Sequence, residues 1–251
     1  MMASRCKSLR LFAVQSLKSV APKRATNIPA CRFLQSSAAR QFSSTATRFA
    51  SGTQQELIQA LENEIDAEKK LEQENLGGSS APVITGFNIV TDGAEVRLSK
   101  THGDENILVV FNVNHSVDVD EDFETEENVE QNAVPVSRPH FSIEVTKGSK
   151  RLCFEMELVE TEDGQYDVQV EEFYIAPAAK GDDVGVEHKV YSSAGKFIDP
   201  GLHELLFLRY LEERGFTTDF CNQLVTYATH YEHSQYVNLL KNIKSFVSGS
   251  S

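Results

Sequence analysis

The stretch Phe141-Ser142-Ile143-Glu144-Val145-Thr146-Lys147-Gly148-Ser149-Lys150-Arg151-Leu152-Cys153-Phe154-Glu155-Met156-Glu157-Leu158 decides the fold. Phe141, Ile143 and Val145 alternate with Ser142, Glu144 and Thr146. After a turn at Lys147-Gly148-Ser149, Leu152, Phe154, Met156 and Leu158 alternate with Cys153, Glu155 and Glu157. A period of two sends the apolar set to one side of a strand and the polar set to the other. Two such runs joined by a short glycine-containing turn predict an antiparallel hairpin with one apolar and one polar face.

The same period continues outward, from residue 82 to about 191. Upstream, Ile107, Val109, Phe111, Val113, Val117 and Val119 share one face of what reads as a long strand, with His115 the exception. Downstream, a turn at Glu162-Asp163-Gly164 leads into Tyr166, Val168 and Val170. One layer of sheet cannot bury its apolar face alone, so helices must cover it.

Helical spacing occurs at both ends. Thr53 and Glu56 have the spacing of a capping box, and Leu57, Ile58, Leu61 and Ile65 form a stripe that predicts a helix to Leu76, ended by Gly77-Gly78. Asp199-Pro200 opens a helix through Arg214, with Leu202, Leu205, Leu206, Arg209 and Tyr210 at helical spacing and Gly215 as its stop. Thr218 or Asp219 then caps a run with Phe220, Leu224, Val225 and Tyr227, and a final stretch carries Tyr236, Val237, Leu240, Ile243 and Phe246. The order of helix, strands and helices defines an α+β class, read as a single acidic domain over 53–248 with a flexible loop at 118–132.

Charge divides the chain at Glu56. Before it stand nine Lys and Arg and no carboxylate; from it onward 15 Lys and Arg face 37 Asp and Glu, a balance of −22. Residues 1–50 are rich in Arg, Ser and Ala, and Leu9, Leu11, Phe12 and Val14 alternate with Arg5, Lys7 and Arg10. This composition predicts a mitochondrial transit peptide cleaved near 42–50, since a potential negative inside draws cations inward. Arg40-Gln41-Phe42-Ser43-Ser44 and Arg48-Phe49-Ala50-Ser51 are the two processing candidates. The rival reading is a basic tail for nucleic acid or acidic lipid. A secretory signal needs about 7–15 uninterrupted apolar residues, and Leu11–Val14 is too short. No stretch has the roughly 18 apolar residues of a membrane span, which leaves peripheral membrane association open.

Little here points to catalysis. The densest constellation is Asp118, Asp120, Glu121, Asp122, Glu124, Glu126, Glu127 and Glu130, eight carboxylates in 13 residues. It opens like an EF-hand, but Phe123 stands where the loop needs Gly and Val129 where it needs a bidentate Glu. Such a segment is a solvated polyanion that attracts cationic partners in a salt-dependent way. His230, Glu232 and His233 lack the further ligand that zinc requires. Cys153 and Cys221, the two cysteines outside the leader, read as small buried hydrophobes. Asn114-His115-Ser116 is a glycosylation sequon without meaning in a compartment that lacks the transferase. Gly181-Asp182-Asp183-Val184-Gly185 is a linker, not a phosphate loop. No metal site and no cofactor is expected, and a charge of −22 opposes direct nucleic-acid binding.

Several ordered segments carry a family resemblance. Arg214-Gly215, Phe220, Leu224-Val225, Glu232-His233, Tyr236, Leu240 and Ile243-Lys244-Ser245-Phe246-Val247 resemble the mitochondrial acidic matrix protein family, also called the mitochondrial glycoprotein family. Its animal members are known as the receptor for the globular heads of complement component one q, or hyaluronan-binding protein. Val110–Ser116, Pro139–Lys147 and Glu95-Val96-Arg97-Leu98 are similar too. The resemblance implies a strongly twisted seven-stranded antiparallel sheet flanked by one N-terminal and two C-terminal helices. It also implies a ring-shaped homotrimer with a central channel and uneven charge on its two faces. Its members are non-enzymatic matrix proteins tied to mitochondrial translation, ribosome biogenesis and oxidative phosphorylation; they bind many basic proteins, and some are reported to bind RNA. Complement binding outside the cell belongs to animal members and does not transfer.

The expectation is therefore a non-enzymatic matrix scaffold or chaperone for basic ribosomal or RNA-binding proteins. Two rivals are weighed against it: a low-affinity calcium buffer built on 118–130, and a hydrolase using His230 and His233.

Overall fold

In the computed structural model, which describes residues 52–78, 80–117, 136–178 and 190–249, seven strands form one antiparallel sheet in sequential order. They are β1 (Asn88–Asp92), β2 (Glu95–His102), β3 (Glu105–Asn112), β4 (Phe141–Lys147), β5 (Lys150–Glu160), β6 (Tyr166–Pro177) and β7 (Ser192–Ala194). The expected hairpin is β4–β5, with Phe141 opposite Met156, Ile143 opposite Phe154 and Val145 opposite Leu152. Gly148 turns it with φ +59, a conformation that side chains resist. A β-bulge between Glu155 and Met156 shifts the register of β5 against β6. Past it, Phe173 and Ile175 take over the face that Val168 and Val170 hold before it.

Helix α1 (Gly52–Asn75) precedes the sheet. After it, a helical run opens as α2 (Pro200–His203), widens to π geometry over Glu204–Arg209 and closes as α3 (Tyr210–Glu213); α4 (Thr218–Ser248) ends the fold. Asp199 caps α2 by accepting bonds from the Gly201 and Leu202 amides. Gly215, at φ +83, stops the run. Fold class, strand number and helix placement follow the expectation.

The core lies between one sheet face and the C-terminal helices. Val96, Leu98, Ile107, Val109, Ile143, Phe154 and Met156 are almost fully buried, together with Leu211, Cys221 and Leu224. Phe207 seats its ring against Phe154 and Phe173, with centroids 6.1 and 5.3 Å apart. Glu105, first residue of β3, receives two bonds from Arg214, Nε to Oε2 at 2.8 Å and Nη2 to Oε1 at 3.0 Å, which ties the sheet to the end of α3.

Five expectations need correction. The strand through Ile107 and Phe111 ends at Asn112, because the Asn112 side chain accepts the Asn114 amide and His115 turns to φ +55. Val117 makes only an isolated bridge to Ser137, and Val119 lies outside the described residues. Thr217, rather than Thr218 or Asp219, caps α4, with its side chain accepting the Phe220 amide. The two final helical stretches are one helix of 31 residues. Leu57, Leu202 and Leu205 are exposed, not packed. For the last two, the π segment carries more residues per turn, so a stripe counted at 3.6 slips off the buried side occupied by Phe207 and Leu211.

Candidate functional site

An acidic binding surface must be assembled from what the core leaves outside. The eight carboxylates from Asp118 to Glu130 lie outside the described residues, but the chain on either side of them is fixed. The Arg138 amide donates to the Ser116 carbonyl at 2.8 Å. The Ser116 and Ser137 hydroxyls lie 2.5 Å apart, both buried. The Ser137 amide donates to Thr229 Oγ1 on α4 at 2.9 Å. The described residues on either side of the polyanionic segment are therefore held together at one anchored point.

A second acidic region sits on the sheet face away from the helices, and the bulge creates it. Glu155 stands directly opposite Glu172, a like-charge pair that costs stability unless relieved. Glu171 joins them around a groove of about 580 Å³ that Lys196 also lines. Relief comes from hydrogen bonds. The Tyr174 hydroxyl donates to Glu155 Oε1 at 2.9 Å, and the Ser192 hydroxyl donates to Glu172 Oε2 at 3.1 Å. Burial still pushes the Glu155 carboxyl above the ordinary glutamate range, and nearby Glu172, Glu144 and Glu171 add to this. His140 lies 3.6 Å from Glu171.

This outer face is not uniformly wet, as its alternating polar residues had suggested. Glu144 and Arg151 are buried there, with Arg151 Nη1 donating to both carboxylate oxygens at 2.9 Å. Cys153, Tyr174 and Ala176 form a small second core beside them, with Val190 against it. The groups most open to a partner are the acids around Glu171 and Glu172.

The histidine candidates face inward. His233 Nε2 lies 3.0 Å from Glu68 Oε2, and His230 Nε2 lies 3.1 Å from the Gly78 carbonyl. Both rings are buried in the α1–α4 seam, alongside Leu61, Ile65 and Leu240. Lys244 meets Glu62 at 2.8 Å in the same seam. Glu68, overlooked in the sequence, completes an i, i+4, i+7 face with Leu61 and Ile65 that helical spacing could have revealed. Among the described residues, no group of three or more His, Cys, Asp or Glu is arranged to hold a metal ion. Cys153 and Cys221 are buried free thiols, each pushed up to about 12 by desolvation, which makes them poor nucleophiles. None of the described helices is long and apolar enough to cross a membrane.

Sheet, helices and charge define an acidic binding protein of the helix-backed antiparallel class, with no catalytic constellation among the described residues. The chain belongs to the mitochondrial glycoprotein family, whose MAM33 model matches residues 61–247. It is 57% identical over 195 residues to conserved regulator of innate immunity protein 3 of Caenorhabditis elegans, covering 77% of this chain and 83% of that one. It is 30% identical over 202 residues to the bovine mitochondrial complement component 1 Q subcomponent-binding protein, covering 76% and 70%. Mitochondrial acidic protein mam33 of Schizosaccharomyces pombe is 30% identical over 216 residues, covering 76% and 77%. The fold matches a Leishmania major protein described as a homologue of human p32, with TM-score 0.55, 17% identity and coverage of 78% and 99%. Trypanosoma brucei p22 matches with TM-score 0.52, 19% identity and coverage of 78% and 98%. Family membership makes this a mitochondrial protein, in accord with its acid-free leading segment.

Proposed function

We propose that this protein is a non-enzymatic, multivalent scaffold or chaperone of the mitochondrial matrix that binds basic proteins. In this reading it supports ribosome biogenesis, translation and oxidative phosphorylation. The observation that carries the proposal is the balance of −22 from Glu56 onward. Residues 1–50 act as the transit peptide, so the working protein sheds nine of its cations. The carboxylates at 118–130 supply the principal contact surface and those at the bulge a second one. Calcium buffering would rest on the 118–130 carboxylates alone.

Assembly as a homotrimer agrees with two apolar strips that the single chain leaves uncovered. Leu202, Leu205 and Leu208 form one, and Leu239, Ile243 and Phe246 on α4 the other. Three copies would carry −66. At 0.15 M salt the Debye length is about 8 Å, so only close, repeated contacts survive. Basic ribosomal proteins offered to the mature chain should therefore bind at low salt and elute along a salt gradient. Neutralising the eight carboxylates from Asp118 to Glu130 should shift elution to lower salt by the largest step. Clients that stay bound at 1 M salt through apolar contact would refute the electrostatic mechanism.

A further inference from the structure

Cations in this fold are commonly matched by acids: Lys147 reaches Asp104 at 3.1 Å, Lys244 reaches Glu62, Arg214 reaches Glu105 and Arg151 reaches Glu144. Lys100, on β2, departs from this pattern. It is half-buried, and its Nζ lies 4.2 Å from the centroid of the Phe87 ring and 5.5 Å from that of Phe216. Among the described residues no carboxylate stands within ion-pair distance of it. Gly215 leaves room for the amine, since a β-carbon there would come within 2.8 Å of Nζ. In a domain this rich in carboxylates, a lysine held between two rings without an acid partner calls for a chemical explanation.

The ring faces attract an ammonium ion, but they also displace water and cannot replace its hydrogen bonds to three N–H donors. Desolvation wins, and burial lowers the Lys100 pKa below the ordinary lysine value. Asp104 does the opposite to Lys147, holding its proton on through a hydrogen bond and an opposite charge. Near pH 8 the neutral, nucleophilic form is therefore better represented at Lys100 than at Lys147.

We propose that Lys100 is an acyl-acceptor site, whose ε-amine takes an acyl group from a small acyl thioester. The nitrogen lone pair attacks the thioester carbonyl; the N–C bond forms, the C–S bond breaks, and the departing thiolate is matched by the proton the amine gives up. The products are an amide and a thiol, with no change of oxidation state. The amide stays between Phe87 and Phe216 without charge, and the domain becomes one unit more negative per chain.

The experiment incubates the full chain with acetyl-coenzyme A at pH values from 7 to 9 and follows each lysine by peptide mass spectrometry. Lys100 should acetylate several-fold faster than Lys147, and its rate should rise at lower pH. Equal or slower acetylation of Lys100, or coincident pH profiles, overturns the proposal. Phe87→Leu supplies a second arm that keeps the pocket apolar while removing one ring. Lys100 reactivity should fall in this variant as water returns to the ammonium. A rise would mean that the ring shields the amine instead of activating it, and would equally overturn the site.

Discussion

The two faces of the sheet bury charge in different ways. The inner face is a continuous apolar layer beneath α4 and the helical run from Pro200, and its charged pair, Glu105–Arg214, stands at the strand end. The outer face buries Glu144 at the middle of β4 and Arg151 near the start of β5, beside Cys153 and Tyr174. Alternation tells which residues share a face, because the pleat fixes direction. It does not tell whether that face is wet, which depends on chain arriving from elsewhere.

The largest effects should come from testing this contrast directly. Phe154→Ala opens a cavity under Phe207 and should cost about 3–5 kcal/mol. Glu144→Ala leaves the Arg151 guanidinium buried without its carboxylate and should cost about as much, roughly 3–5 kcal/mol. Replacing both partners, as Glu144→Leu with Arg151→Met, should recover most of that loss, because an apolar pair of similar volume avoids the desolvation of two ions. Urea denaturation of the three variants measures all of this. A Glu144→Ala cost below about 1 kcal/mol, the range of exposed pairs, would mean that the outer face is hydrated and the contrast is false.

A smaller effect belongs to the α1–α4 seam, whose apolar part is only Leu61, Ile65 and Leu240 with Tyr236 alongside. His233→Ala would take the His233 bond from the buried Glu68 carboxylate and should cost about 1–3 kcal/mol. The loss should be local. Hydrogen exchange should quicken across the α1 amides while β3, β4 and β5 keep their protection. Equal loss of protection in the strands would show that α1 is an integral part of the core and not a docked element.

Much of the frame was legible because the sheet reads its own period. The β4–β5 hairpin, the apolar face of β3 up to Phe111 and the Asp199-Pro200 helix start were all visible in the order of residues. β7, with only Ser192-Ser193-Ala194, has no alternation to detect and was expected from family resemblance alone. Leu202 and Leu205 were misread because the helical period changes through the π segment that separates them from Leu211. His230 and His233 read as a satisfied or solvent-facing pair; they are satisfied, by partners 152 and 165 residues away that sequence spacing does not name. The bulge that gathers Glu155, Glu171 and Glu172 leaves no mark in spacing, so this second acidic region appears only once β5 and β6 are paired. The carboxylates from Asp118 to Glu130, the contact surface proposed above, are what composition shows best.

The smallest effect is also the one that joins the faces to function. Glu155 carries a carboxyl whose folded-state pKa is raised, chiefly by burial, while the Tyr174 hydroxyl pulls the other way and the carboxylates of Glu172, Glu144 and Glu171 push with burial. A raised value means that the folded state holds the proton more tightly than the unfolded chain does. The stabilisation this provides is fully present below the ordinary glutamate range and is lost as pH rises through the folded value. At pH 7 the ionised group therefore works against folding. Glu155→Gln removes that burden and keeps an oxygen to accept the Tyr174 bond, so its Tm should exceed that of the parent at pH 7. The gain should shrink toward pH 4, where the parent carboxyl is already protonated. A lower Tm at pH 7, or a gain that does not vary with pH, would show that Glu155 is stabilised as an anion. The same variant removes one charge from the outer face, so client elution should move to lower salt by less than the step produced at 118–130. That ordering is expected because Glu155 is half-buried and held by Tyr174, while the charge available to a basic partner is set by the carboxylates that water still reaches.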